Sequence, residues 1–171
     1  MRIYLLRHGP AGRRDASRWP DDSARPLTSR GAERTEVAAR GLARLESDPT
    51  LVLTSPLVRA EQTAKILCKE LQLENLERLD ALSPGGSYRA VVQRLAQCGA
   101  NDAVFLVGHE PHLGKLAGVL LFGAPAGSLP LKKAGACALL FEGPVRAGDA
   151  RLHWFLPSKL LRRLARKGSK V

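Results

Sequence analysis

The chain has 171 residues, 44% apolar and 25% charged, the composition of one globular domain rather than of a disordered chain. No apolar run approaches the ~20 residues of a membrane-spanning helix, and the N-terminal run meets Arg7 after only four apolar residues, too short for a signal-peptide core. The formal charge is +11, but residues 159–171 hold six of the 27 Lys and Arg and no acid, leaving 21 basic against 16 acidic residues, or +5, in the rest.

The elements alternate along the chain. Arg2 to Leu6 predicts a buried strand at the very N-terminus, stopped by Arg7-His8-Gly9-Pro10. Residues 10–27 carry Pro, Gly, Asp and Ser without periodicity, and a loop of that length in a small domain is usually functional. Thr28 predicts the N-cap of a helix reaching about Glu46, with Val37, Leu42 and Leu45 inward. Leu51-Val52-Leu53 is a second strand. Ser55 and Pro56 then predict an N-cap and a first helical residue, and Ala60, Ala64, Leu67 and Leu71 fall on one face of the helix that follows. After the loop Ser83-Pro84-Gly85-Gly86, Ser87 predicts the cap of a helix with Tyr88, Val91, Val92 and Leu95 inward. Ala103 to Val107 is a third strand, ending at Gly108-His109, and a helix follows near 112–121. Ala136 to Phe141 and Leu152 to Leu156 predict a closing hairpin. The expected architecture is α/β, a three-layer sandwich around a mostly parallel central sheet. Residues 1–158 are expected to form that domain, and 159–171 a basic C-terminal helix or tail. Cys68, Cys98 and Cys137 are odd in number, widely spaced and set among apolar residues, so reduced core positions and a cytoplasmic location are expected.

Ligands of open α/β sheets sit outside the carboxyl ends of the strands. Three strand ends here carry or lead into chemistry-bearing residues: Arg7-His8, Ser55-Pro56 leading to Arg59, and Gly108-His109. Competing motifs fail on spacing. His109 and His112 stand three apart with Pro111 between them, not at the i, i+4 spacing of a helical zinc site; no dinucleotide, P-loop or serine-elbow signature is present. Aromatic residues are 5% and build no stacking platform, so no specific nucleic-acid partner is expected. Arg59 falls in the first turn of its helix, where the macrodipole disfavours a cation unless an anion binds there. Two arginines and two histidines on one sheet edge therefore predict a pocket for a dianion, with phosphate or an oxyanion analogue as occupant. Arg25 is either a further substrate contact or a structural partner of Asp21 or Asp22.

Four elements then resemble one family. Leu6-Arg7-His8-Gly9 is similar to the RHG signature of the histidine phosphatase superfamily, which includes the phosphoglycerate mutases. Arg25-Pro26-Leu27-Thr28 with Gly31 resembles its R-P-L-T-x-x-G element, and Ser55 to Ala64 its S-P-x-x-R-A-x-Q-T-A block. Val107-Gly108-His109-Glu110-Pro111 resembles its late G-H-x-P element. The short chain and Trp154 to Lys159 are most similar to the SixA-type phosphohistidine phosphatases.

The resemblance implies a phosphoglycerate-mutase-like fold and a phosphatase acting through a covalent phosphohistidine on His8, with Arg7, Arg59 and His109 catalytic. It also implies Arg7, Arg59, His109 and Arg25 as substrate contacts, no cofactor and no metal. The implied partner is a protein bearing phosphohistidine. Two rivals stand beside that reading, namely a phosphatase or mutase of small phosphate esters and a non-catalytic phosphate-recognition module. The superfamily's ester-cleaving members supply a glutamate as proton donor, and the matching region Asp80 to Gly86 holds only Asp80.

Overall fold

A computed structural model describes residues 1–46, 48–125 and 129–166. Its order is β1 (Arg2–Arg7), α1 (Ser29–Leu45), β2 (Leu51–Thr54), α2 (Val58–Leu71), β3 (Leu76–Arg78), α3 (Tyr88–Leu95), β4 (Ala103–Gly108), α4 (His112–Phe122), β5 (Ala136–Leu140), β6 (Arg151–Leu156) and α5 (Ser158–Leu164). The sheet runs β3-β2-β4-β1-β5-β6. The first four strands are parallel, and β5 and β6 close one edge antiparallel, so the mostly parallel three-layer arrangement is as expected.

The layers follow from the period-2 alternation of the buried strands. Ile3 and Leu5 of β1, with Val104 and Leu106 of β4, pack against α3 and α4 through Val91, Leu95, Leu113, Leu116 and Leu120. Tyr4 and Leu6, with Phe105 and Val107, face α1, α2 and α5 through Ala39, Leu42, Ala64, Leu67 and Leu161. On that second side Glu46 gathers three donors: Tyr4 Oη at 2.6 Å, Trp154 Nε1 at 3.1 Å and Arg2 at 3.5 Å.

Two local expectations are corrected, and one strand is added. Leu45, expected inward on α1, is 39% exposed; the buried positions of that helix are Gly31, Thr35, Ala38, Ala39, Gly41 and Leu42. Small residues serve there because α5 approaches so closely that a side chain at Gly41 would overlap the Leu161 carbonyl. Ser55 does not cap α2. The helix starts at Val58 with Leu57 as N-cap, and the serine hydroxyl is used elsewhere. The short strand β3 was not legible, because its Leu76-Glu77-Arg78 has no apolar run and is held by pairing with β2.

The hairpin and the helix starting after Ser87 form as expected, with Ser87 accepting from the Ala90 N–H at 3.2 Å. Cys68 and Cys137 are buried and Cys98 is half-buried, all three as free thiols. Among the described residues no helix is long and apolar enough to cross a membrane.

Candidate active site

Strand register builds the site. Arg7 pairs with Gly108 across β1 and β4, and Thr54 pairs with Val107 across β2 and β4. The ladder continues one residue further on both sides: the His8 N–H donates to the Gly108 carbonyl at 3.0 Å and the Ser55 N–H to the Val107 carbonyl at 2.9 Å. His8, Ser55 and His109 thus leave three adjacent strand ends together. His8 and His109 are buried, with ring centroids 5.1 Å apart.

The motif residues that carry no charge hold this edge to α1 and α2. Thr63 Oγ1 donates to the Arg59 carbonyl at 2.8 Å and accepts the Gly9 N–H at 3.0 Å. Gln62 accepts the Leu27 N–H at 2.8 Å, tying the long loop to α2, and Thr28 caps α1 by accepting from Gly31 at 3.0 Å. Position 9 has to be glycine, because a Cβ there would overlap Thr35 Oγ1.

His8 is fixed as one tautomer. Its Nδ1 lies 2.7 Å from the Gly9 carbonyl oxygen, which can only accept, so Nδ1 carries the proton and Nε2 keeps its lone pair. Burial pushes the imidazole down to about 4; the Gly9 hydrogen bond opposes this, and the charges of Arg59, Arg7 and Lys133 add to it. His109 is pushed lower still, to about 3, by burial first and then by His8 and Arg59. Its Nε2 lies 2.8 Å from Ser55 Oγ.

The arginines are anchored at one end and free at the other. Arg7 donates from Nη1 to the Leu131 carbonyl at 2.9 Å, and Glu110, which accepts the Leu131 N–H at 3.0 Å, holds the same residue. Arg59 donates from Nη1 to the Asp22 carbonyl at 2.7 Å and from Nη2 to its carboxylate at 3.1 Å. Arg7 Nε, Arg59 Nε and His109 Nδ1 are buried with no partner among the described residues. Buried N–H groups are rarely left unpaired, and three of them around one imidazole are chemically competent to hold the oxygens of a tetrahedral oxyanion.

The sequence-predicted Arg7, His8, Arg59 and His109 are therefore brought together. Arg25 stands behind them, its Nε 2.8 Å from Asp22 Oδ1 and its Nη1 2.6 Å from the Gly12 carbonyl, the structural contact that the sequence left open. Two contacts were not read from the sequence: Asp22, weighed only as a partner of Arg25, also holds Arg59, and Ser55, expected as a helix cap and as the start of the S-P-x-x-R-A-x-Q-T-A block, meets His109. His112 is buried and stacks on Tyr88 at 4.7 Å, a packing position beside His109. Among the described residues no three His, Cys, Asp or Glu side chains cluster as a metal site would.

Comparison with known proteins gives the same picture. Residues 3–87 match the model of the Histidine phosphatase superfamily (branch 1). An uncharacterized protein of Picosynechococcus sp. is 39% identical over 154 residues, covering 89% of this chain and 88% of that protein. Phosphohistidine phosphatase SixA of Escherichia coli is 34% identical over 124 residues, covering 70% of this chain and 74% of SixA. The solved structure of the protein histidine phosphatase SixA complexed with tungstate superposes with a TM-score of 0.80 at 27% identity, covering 94% of this chain and 99% of that one. With this register of strand ends and these relatives, the chain belongs to the histidine phosphatase superfamily and is a SixA-like phosphatase.

Proposed function

We propose that the protein hydrolyses phosphohistidine on a protein substrate through a phosphoenzyme on His8, with Arg7, Arg59 and His109 holding the transferring phosphoryl group. One observation carries this reading: the Gly9 carbonyl on His8 Nδ1, at 2.7 Å, leaves Nε2 as the only ring nitrogen able to attack. The depressed basicity of His8 keeps that nitrogen unprotonated at neutral pH.

The steps balance. His8 Nε2 attacks phosphorus in line, forming an N–P bond as the bond to the substrate imidazole breaks. The leaving ring departs neutral because its other nitrogen is already protonated. Phosphorylated His8 keeps Nδ1–H on the Gly9 carbonyl and is therefore itself a protonated leaving group. Water then attacks phosphorus, releases orthophosphate and restores neutral His8, its surplus proton passing to phosphate or solvent. The free Nε–H groups of Arg7 and Arg59 and the free His109 Nδ1 suit the charge on the three equatorial oxygens. E. coli SixA bears the name phosphohistidine phosphatase and a SixA structure holds tungstate, an oxyanion analogue, both of which support the reading. The three free thiols fit a reducing compartment such as the cytoplasm.

The leaving group also favours phosphohistidine over alkyl esters. Asp80, the one carboxylate in the region that supplies an acid in ester-cleaving relatives, is exposed at the start of the turn Asp80–Leu82 and makes no side-chain hydrogen bond or ion pair among the described residues. Rapid quench with labelled substrate tests the phosphoenzyme: the label should be stable to alkali, lost in acid and located on His8. Near-native turnover by His8→Ala would overturn the mechanism, and binding of orthophosphate with neither a quench-stable label nor turnover would point to the phosphate-recognition module.

A further inference from the structure

The basic C-terminal helix α5 starts at the active-site end of the sheet and runs from there along α1, its last turn lying at Arg44, next to the Glu46 that binds Arg2 and Tyr4 of β1. Leu156, the last residue of β6, pairs with Ala136, and Ala136 pairs with Leu6, the residue before Arg7. With strands about 5 Å apart, α5 leaves the sheet about 10 Å from the root of His8. Leu161 docks it, fully buried against α1, and Arg44 caps its C-terminus by donating to the Leu164 carbonyl at 3.0 Å. Docking turns the charged residues outward. Lys159, Arg162, Arg163 and Arg166 line one cleft of about 270 Å³. Arg34 of α1 and Arg166 stand close enough to Arg162 for their charges to act on it, and the charge of the exposed Lys133 acts on His8.

The cluster is unneutralised. Arg40, Arg78, Arg94 and Arg151 each meet a glutamate, whereas none of Arg34, Lys159, Arg162, Arg163 and Arg166 is in an ion pair among the described residues. Like charges gathered without a counter-charge repel one another, and an anionic partner relieves that repulsion. Lys159, Arg163 and Arg166 are exposed and Arg162 half-buried, so this is an open surface rather than a closed pocket for a small anion. No aromatic side chain lines the cleft, so it offers no platform for stacked bases.

We propose that this face of α5 is a docking surface for the acidic flank of the phosphorylated partner protein, which would run from the His8 pocket along α5 and the side of α1. The proposal rests on the phosphohistidine-protein reading above for the partner's identity, and its test separates the two. Two fluorescent peptides would be made, each with one histidine, one followed by a run of aspartates and the other by a run of serines. Affinity is read by anisotropy before phosphorylation, and turnover after treatment with phosphoramidate. The aspartate peptide should bind and turn over about tenfold better than the serine peptide at low ionic strength, as expected for a steering surface.

That advantage should vanish at high salt and in R163E/R166E, and should be partly kept in R163Q/R166Q. Turnover of free N-phosphohistidine should be unchanged in both variants. Unaltered affinity for the aspartate peptide in R163E/R166E overturns the proposal. So does tighter binding of short duplex DNA than of that peptide, or a parallel loss of free phosphohistidine turnover. If no phosphohistidine is cleaved at all, the functional reading fails, while the anisotropy of the unphosphorylated aspartate peptide still decides the docking surface.

Discussion

Ser55 Oγ lies 2.8 Å from His109 Nε2, joining the ends of the neighbouring strands β2 and β4. One lone pair of the same oxygen accepts the Leu57 N–H at 3.3 Å, and its hydroxyl proton is free to donate to His109 Nε2, a pairing that puts the ring proton on the unpartnered Nδ1. Ser55→Ala should lower kcat on p-nitrophenyl phosphate about tenfold, the worth of one buried hydrogen bond, with Ser55→Thr recovering most of it. Ring ¹⁵N shifts should show His109 as an Nδ1–H tautomer in the wild type and as a mixture in Ser55→Ala. Unchanged shifts and unchanged kcat would remove Ser55 from the site.

Asp22 faces the pocket as well as Arg59, since its charge is felt at His109. In Asp22→Asn the backbone carbonyl still holds Arg59 Nη1 at 2.7 Å, while a negative charge beside the oxyanion position disappears. Product inhibition by orthophosphate should tighten about threefold to tenfold, the scale of one partly screened charge. Weaker inhibition would show that the carboxylate chiefly positions Arg59.

The folded pKa values of His8 (about 4) and His109 (about 3) lie below the ordinary 6.5, so the unfolded chain binds more protons between them. The contribution of these two histidines should therefore be fully favourable above pH 6.5, fall as pH drops toward 4 and level off below about 3, where carboxylates held low by their partners, Asp22 among them, begin to lose their own. Urea midpoints across that range check the sign. The His8 ring resonances should report a neutral imidazole down to about pH 5, and titration near 6.5 would contradict a desolvated nucleophile.

Gly41→Ala should destabilise the fold by about 2 kcal/mol, since the added methyl has to displace Leu161 and with it α5. Gly143→Ala, where a methyl meets open space, is the control and should leave the melting temperature nearly unchanged. Equal melting temperatures would place α5 as loosely attached.

A leaving-group series tests substrate class. N-phosphohistidine should turn over orders of magnitude faster than sugar phosphates, whose alkoxide needs a proton donor, while p-nitrophenyl phosphate, whose phenolate leaves unaided, should be cleaved slowly. Asp80→Asn should leave all three unchanged. Efficient hydrolysis of a sugar phosphate, abolished by Asp80→Asn, would assign the general acid to Asp80 and the protein to small esters.

The layer architecture was legible in the sequence, and so were Arg7, His8, Arg59 and His109 as candidates for the site. Period-2 and period-3.6 apolar patterns report which face each element buries, and those four polar residues stand at breaks in the patterns. Tertiary structure decided what each polar group faces. Ser55 reads as a helix cap until β4 brings His109 to its hydroxyl, and Asp22 reads as a loop residue until α2 brings Arg59 to its carboxylate. Leu45 reads as core until the close approach of α5 hands the inward face of α1 to glycine and alanine. Such assignments depend on contacts between residues 37, 54 and 120 positions apart, which local periodicity does not carry. The basic end of the chain likewise shows its charge in sequence, but that it sets out from the site-bearing end of the sheet and runs along α1 follows only from the register of β6 on β5 and of β5 on β1 and from the contact of α5 with Arg44.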